Sequence, residues 1–138
     1  MISLIIGNKG SGKTKKLIQL ANEAVDTSIG NVVVVEKGAK LTYDINHKAR
    51  LIDTDQYGIQ GFAAFYGFVS GICAGNYDVT EIFIDSTLKI GGQDLNELAD
   101  FIAKIDALAA KTDTKFVISV SADEEALPES IGAITVKV

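Results

Sequence analysis

Arginine, cysteine, histidine and proline each occur once in this 138-residue chain, as Arg50, Cys73, His47 and Pro128. A single cysteine leaves no partner for an intrachain disulfide and excludes a multi-cysteine metal site. Cys73 lies in an apolar run and reads as a small buried residue. One histidine cannot form a histidine cluster. Acidic side chains outnumber basic ones, 18 to 13, for a formal net charge of −5. Such a balance disfavours non-specific nucleic-acid binding by the chain as a whole. No charged start followed by a long apolar run stands at Met1, so a cytoplasmic location is expected rather than secretion. Internal repeats and low-complexity linkers are also missing. Most conspicuously, residues 56–77 contain no charged side chain.

What is present is an alternation of apolar runs with helical patterns. Ile2 to Ile6, Val32 to Val35, Glu81 to Asp85, Phe116 to Val120 and Ile134 to Val138 read as strands. The β-branched run Val32-Val33-Val34-Val35 suits a parallel strand buried on both faces. Leu17, Leu20, Ala21 and Ala24 recur at helical spacing. So do Leu95, Leu98, Ile102, Ile105 and Ala109, behind an Asp94 N-cap with Glu97 three residues on. Hydrophobic content of 47% in 138 residues suits one domain with a proper core. The expected fold is α/β, a three-layer α/β/α sandwich around a mainly parallel sheet.

Three connecting regions carry further expectations. Leu41, Tyr43 and Ile45 alternate with polar residues before Asn46-His47, which predicts a β-hairpin insertion over residues 41–52. The uncharged stretch is long enough to raise a membrane span. Gln56, Gln60, Ser70 and Asn76 dilute it, however, and Asp55 and Asp78 flank it without basic anchors. The expectation is therefore no membrane span but a helix from Ile59 to Gly75. Ala63, Gly67, Gly71 and Gly75 would form a smooth ridge on it, either packed on the sheet or serving a homo-oligomer or protein partner. Gly91-Gly92 reads as a flexible turn, and Ser121 to Ser130 as a polar stretch with one helical turn at its start.

One stretch organises the rest. Gly7-Asn8-Lys9-Gly10-Ser11-Gly12-Lys13-Thr14 matches G-x-x-x-x-G-K-[ST] at every fixed position, between a strand and a helix. Glycines let the backbone turn its N–H groups around an anion, and the helix N-terminus adds partial positive charge. Lys9, Lys13, Lys15 and Lys16 concentrate positive charge there in an otherwise acidic chain. The stretch resembles the Walker A loop of P-loop nucleoside triphosphatases. That resemblance implies that Gly7, Asn8, Lys9, Gly10, Ser11, Gly12, Lys13 and Thr14 bind a nucleotide's phosphates. It places Lys13 on the β- and γ-phosphates and the Thr14 hydroxyl on Mg²⁺.

Ligands of open α/β sheets bind beyond the carboxyl ends of the strands. This selects Glu36, Asp85, Ser119 and Ser121 and sets aside Asp78 and Glu81, which are expected in solvent. Ile82-Phe83-Ile84-Asp85 resembles a Walker B strand, which implies that Asp85 holds Mg²⁺; otherwise Asp85 caps the following turn. A further strand after Asp85 resembles the RecA-like group and implies a core order of 5-1-4-3-2. Many members carry a water-activating glutamate directly after the Walker B acid, where this chain has Ser86. RecA-type recombinases carry it at the end of the second strand, which makes Glu36 the candidate to orient or deprotonate water. An ion pair to Lys37 or Lys40 is the plain alternative for Glu36. Ser119 or Ser121 is the candidate γ-phosphate sensor. Arg50 and Lys89 compete for the place of a finger, or else face solvent.

Short bacterial P-loop ATP-binding proteins look similar in the first strand and loop. Type II thymidine kinases resemble residues 2–36, but their four-cysteine zinc lasso has no counterpart here. Asn-Lys-x-Asp, the guanine signature, is missing, which points to ATP. The implied function is an ATP–Mg²⁺-binding hydrolase, slow or partner-activated. A nucleotide-gated binding module without hydrolysis is the alternative. A small nucleoside kinase is a third reading, against which a single arginine counts.

Overall fold

The computed structural model describes residues 2–138. The chain runs β1 (Ile2–Ile6), α1 (Lys13–Thr27), β2 (Asn31–Glu36), β3 (Arg50–Asp53), α2 (Phe62–Gly75), β4 (Val79–Ile84), α3 (Thr87–Gly91), α4 (Leu95–Thr112), β5 (Lys115–Val120), α5 (Glu129–Ile134) and β6 (Thr135–Lys137). The strands form one open six-stranded sheet in the order β3-β2-β4-β5-β1-β6. Every pairing is parallel. A parallel strand cannot follow its neighbour through a tight turn, so the chain must return over a face of the sheet each time. Helices supply most of those returns.

Alternate residues along each strand go to opposite faces. Val33, Val35, Ile82, Ile84, Phe116, Ile118 and Val120 bury against α2, α4 and α5, with Leu88 and Ile90 of α3. Val32, Val34, Ile5 and Phe83 bury against Leu17, Ala21 and Ala24 of α1. Both faces are thus covered, consistent with a three-layer α/β/α sandwich. Phe65 of α2 and Phe101 of α4 stack with ring centroids 5.0 Å apart, joining the two helices of the thicker layer. Asp94 caps α4, its Oδ1 accepting from the N–H groups of Asn96 and Glu97 at 2.9 and 3.2 Å.

The hairpin expected over 41–52 does not form. β3 begins at Arg50 and pairs parallel with β2, from Val33 opposite Arg50 to Glu36 opposite Asp53. Residues 41–49 make tight turns instead. Ile45 N–H donates to Leu41 O at 3.1 Å, so the spacing that matters is four, not two. Leu41, Ile45 and Ala49 are buried on the α1 side while Tyr43 is fully exposed. Asn22 of α1 clasps this loop: its amide donates to Asp44 O at 2.9 Å and its oxygen accepts from Asn46 N–H at 2.8 Å.

Other boundaries also move. α2 begins at Phe62, not Ile59, because Gly58 and Gly61 turn the chain with φ of 63° and 85°. Phe65, Val69 and Cys73 point inward, and Ala63, Gly67, Gly71 and Gly75 are exposed. The small-residue ridge therefore does not pack on the sheet. At 14 residues α2 is about 21 Å long. Among the described residues no helix is long and apolar enough to cross a membrane. Gly91 closes a short helix rather than a flexible turn, and α5 takes Ile134, which shortens the last strand. A Cβ added at Gly91 would overlap the Phe62 ring, so α3 and α2 approach more closely than alanine permits.

Two glycine substitutions are expected to act in opposite directions. Gly91→Ala must displace Phe62 and should lower stability to urea by about 1–3 kcal/mol. Gly71→Ala meets nothing within 4 Å and should raise it by about 0.5–1 kcal/mol. Equal effects would mean that the Gly91–Phe62 contact does not constrain the fold.

Candidate functional site

The Gly7 to Thr14 loop leaves the carboxyl end of β1 and enters α1. Gly7 N–H donates to Val120 O at 3.3 Å, tying the start of the loop to the end of β5. Gly10 and Gly12 have φ of 85° and 88°, a conformation that other residues adopt at a cost. Gly12 is the N-cap of α1 and no side chain caps the helix. Its first turn holds no acid but does hold Lys13, Lys15 and Lys16. Lysines there oppose the helix dipole and cost stability, and an anion placed at this terminus would offset both. Lys13 is only 9% exposed, and its Nζ donates to Asn8 O at 3.0 Å.

Asp85 is the first residue beyond β4 and is 8% exposed. Its N–H continues the sheet by donating to Val35 O at 2.9 Å. The Thr14 hydroxyl donates to one carboxylate oxygen at 3.2 Å and the Ser119 hydroxyl to the other at 2.7 Å. The fold thus brings together residues from α1, the end of β4 and β5. They line a cleft of about 500 Å³. Lys9, Lys13, Thr14 and Lys15 of the loop and α1 line it together with Ser86, Thr87, Lys89 and Gln93 from the segment around α3, and with Ser121. Asp85 is the only acid lining it among the described residues. Of the two sensor candidates, Ser119 is buried and committed to Asp85, whereas Ser121 is exposed at the cleft.

Thr14 and Asp85 present hard oxygen donors side by side. Among the described residues no group of three or more His, Cys, Asp or Glu side chains is placed to hold a metal. Mg²⁺ commonly takes one or two protein oxygens and completes its shell with phosphate and water. The donor set fits a Mg²⁺ ion that arrives with phosphate, and does not fit a metal held by protein alone.

Glu36 is placed differently from the other candidates. It is 2% exposed and accepts from the backbone N–H groups of Lys40 and Leu41 at 3.0 and 3.3 Å. It lines not the cleft but a hollow of about 120 Å³ beside Arg50, Asp53 and Gln56. The ion pair with Lys37 or Lys40 is not formed; Lys37 pairs with Asp55 at 2.6 Å. Burial holds the Glu36 carboxyl above the ordinary 4.5, partly offset by the Lys40 and Leu41 amides, and the charges of Asp53 and Asp85 push it further up. Arg50 starts the edge strand β3 opposite Val33 and does not line the cleft. Lys89 lines the cleft. Glu81 is half-buried rather than solvated, and one of its carboxylate oxygens has no hydrogen-bond partner.

Thr87 and Gln93 were not legible as cleft residues. Their only signal was closeness in sequence to Asp85. Thr87 is 1% exposed with an unpartnered hydroxyl, and the Gln93 amide donates to Leu88 O at 3.2 Å.

The raised Glu36 value has a defined consequence for stability. The folded chain holds that proton more tightly than the unfolded chain. Glu36 therefore favours folding at low pH and turns against it as pH rises from the ordinary 4.5 through its raised value. In Glu36→Gln this dependence is absent. Urea unfolding from about pH 4 to 8 should show the parent losing stability relative to Glu36→Gln as pH rises. A constant difference would mean that Glu36 titrates alike in both states.

No family model matches this chain, and no curated protein matches it, so the functional assignment rests on the geometry of the cleft.

Proposed function

We propose that the chain binds a nucleoside triphosphate with Mg²⁺, ATP in preference to GTP, and that it is a P-loop protein of the RecA-like kind with slow or partner-activated hydrolysis. One observation carries this reading. Thr14, directly after Lys13, donates to Asp85 across 71 positions of sequence, at the mouth of a glycine-rich loop that opens an acid-free helix terminus. Phosphate oxygens would be held by the loop N–H groups and by Lys13. Thr14 and Asp85 would hold Mg²⁺, which would offset the charge of the phosphates. The position of β5, between the strand that precedes the loop and the strand that precedes Asp85, supports the RecA-like reading. The missing Asn-Lys-x-Asp signature supports ATP.

A second reading, nucleotide-gated binding without hydrolysis, is favoured by Glu36. Its carboxylate is engaged by two backbone amides off the cleft, and Ser86 occupies the place after Asp85. A water at the cleft then has only Asp85 as a nearby carboxylate. In this reading the exposed ridge of α2 is the surface that the nucleotide state controls.

Calorimetry with Mg-ATP and Mg-GTP tests the common part. The parent should bind Mg-ATP, and Lys13→Ala should weaken binding by at least about tenfold through loss of charge-assisted contacts. Asp85→Asn should remove most of the Mg²⁺ dependence. Absence of binding by the parent at millimolar nucleotide would end the nucleotide reading. Phosphate release by Glu36→Gln separates the two versions. Release at the parental rate removes Glu36 from the chemistry, and a collapse of release would restore it as the water-activating group.

A further inference from the structure

We propose that Lys89, from within the same chain, contacts the terminal phosphate of the bound triphosphate and sets the preference for ATP over ADP. This rests on the nucleotide reading of the cleft and assigns the cation that α3 adds to it.

The four lysines lining the cleft divide unequally. Lys9, Lys13 and Lys15 belong to the glycine-rich loop and the first turn of α1, whereas Lys89 comes from α3, a separate segment. Lys89 is exposed and has no ion-pair partner among the described residues. Against these four cations the cleft sets one acid, Asp85. That excess suits a strongly anionic ligand. On the nucleotide reading the loop and Lys13 hold the phosphates, with Lys13 on the β- and γ-phosphates, counted outward from the nucleoside. A further cation from α3 that meets only the terminal phosphate separates a triphosphate from a diphosphate.

Lys89 is held where it can act. Ser86 takes φ 58°, which only glycine adopts freely, and turns the chain from the end of β4 into α3 along the cleft. Leu88 and Ile90 are buried on either side of Lys89. Gly61 N–H donates to Ile90 O at 3.0 Å, and Gly91 lies against the Phe62 ring. The backbone carrying Lys89 is therefore anchored, while Lys89 itself lines the cleft and is exposed. Arg50, the chain's one arginine, does not line this cleft; it opens β3 opposite Val33 and lines the hollow beside Glu36.

Calorimetric titration of Mg-ATP and Mg-ADP into the parent, Lys89→Ala and Lys89→Arg tests the assignment. Lys89 is exposed, so neither variant should disturb folding, which circular dichroism checks. For Lys89→Ala, Mg-ATP affinity should fall by about tenfold while Mg-ADP affinity stays within about twofold. Lys89→Arg should keep most of the preference for ATP. Equal loss for both nucleotides, or no loss for either, would overturn the assignment while leaving nucleotide binding intact. Failure of the parent to bind either nucleotide would instead remove the reading of the cleft, and the Lys89 contact with it.

Discussion

A carboxylate that is nearly buried must find hydrogen-bond donors, and Asp85 finds two hydroxyls on opposite sides. Thr14 reaches it from the first turn of α1 and Ser119 from the last turn-in of β5. Hydrogen bonds to a charged acceptor contribute about 1.5–3 kcal/mol each, and an unpartnered buried charge costs more than that. This arrangement couples three segments at the carboxyl end of the sheet. The loop cannot shift without moving Thr14, and β4 cannot slide against β5 without breaking the bond to Ser119. The cleft is thus tied to the sheet register, and the sheet register in turn is set by which valines and isoleucines face which layer.

The two faces of that sheet are covered unequally. Three helices and part of a fourth pack on one side, but only α1 is a helix on the other. The 41–49 loop completes the thinner layer with Leu41, Ile45 and Ala49. Glu36 belongs to this work. By accepting from the amides of Lys40 and Leu41 it folds the loop back toward α1, where Asn22 secures the far end. A glutamate so engaged serves the architecture next to the cleft, and the chemistry proposed for the cleft relies on lysines and one aspartate instead.

Much of this was legible. The alternation of apolar runs with 3.6-periodic segments is a local property, and it indicated a parallel α/β sheet because only crossover connections fit it. The glycine-lysine-threonine stretch was legible because its spacing is contiguous. The hairpin expectation failed for a tertiary reason. Leu41, Tyr43 and Ile45 alternate as a strand would, yet a turn with four-residue spacing buries Leu41 and Ile45 against α1, so packing outside the segment decides the competition. The ridge of Ala63, Gly67, Gly71 and Gly75 left two readings open, because periodicity does not say which face turns inward; the bulk of Phe65 and Val69 decided that.

The sequence by itself determined the class of fold, the glycine-rich loop between β1 and α1 and the set of polar residues near strand ends, because each depends on spacing within one segment. Only the tertiary structure decided how those residues divide. It joined Thr14, Asp85 and Ser119, brought Lys89 to the same cleft, gave Glu36 to the backbone of its own loop and left Arg50 on the edge strand, off the cleft. The reason is physical: a side chain's partners are set by the strand order and by what must be buried beside it, and neither is written at the position of the residue itself.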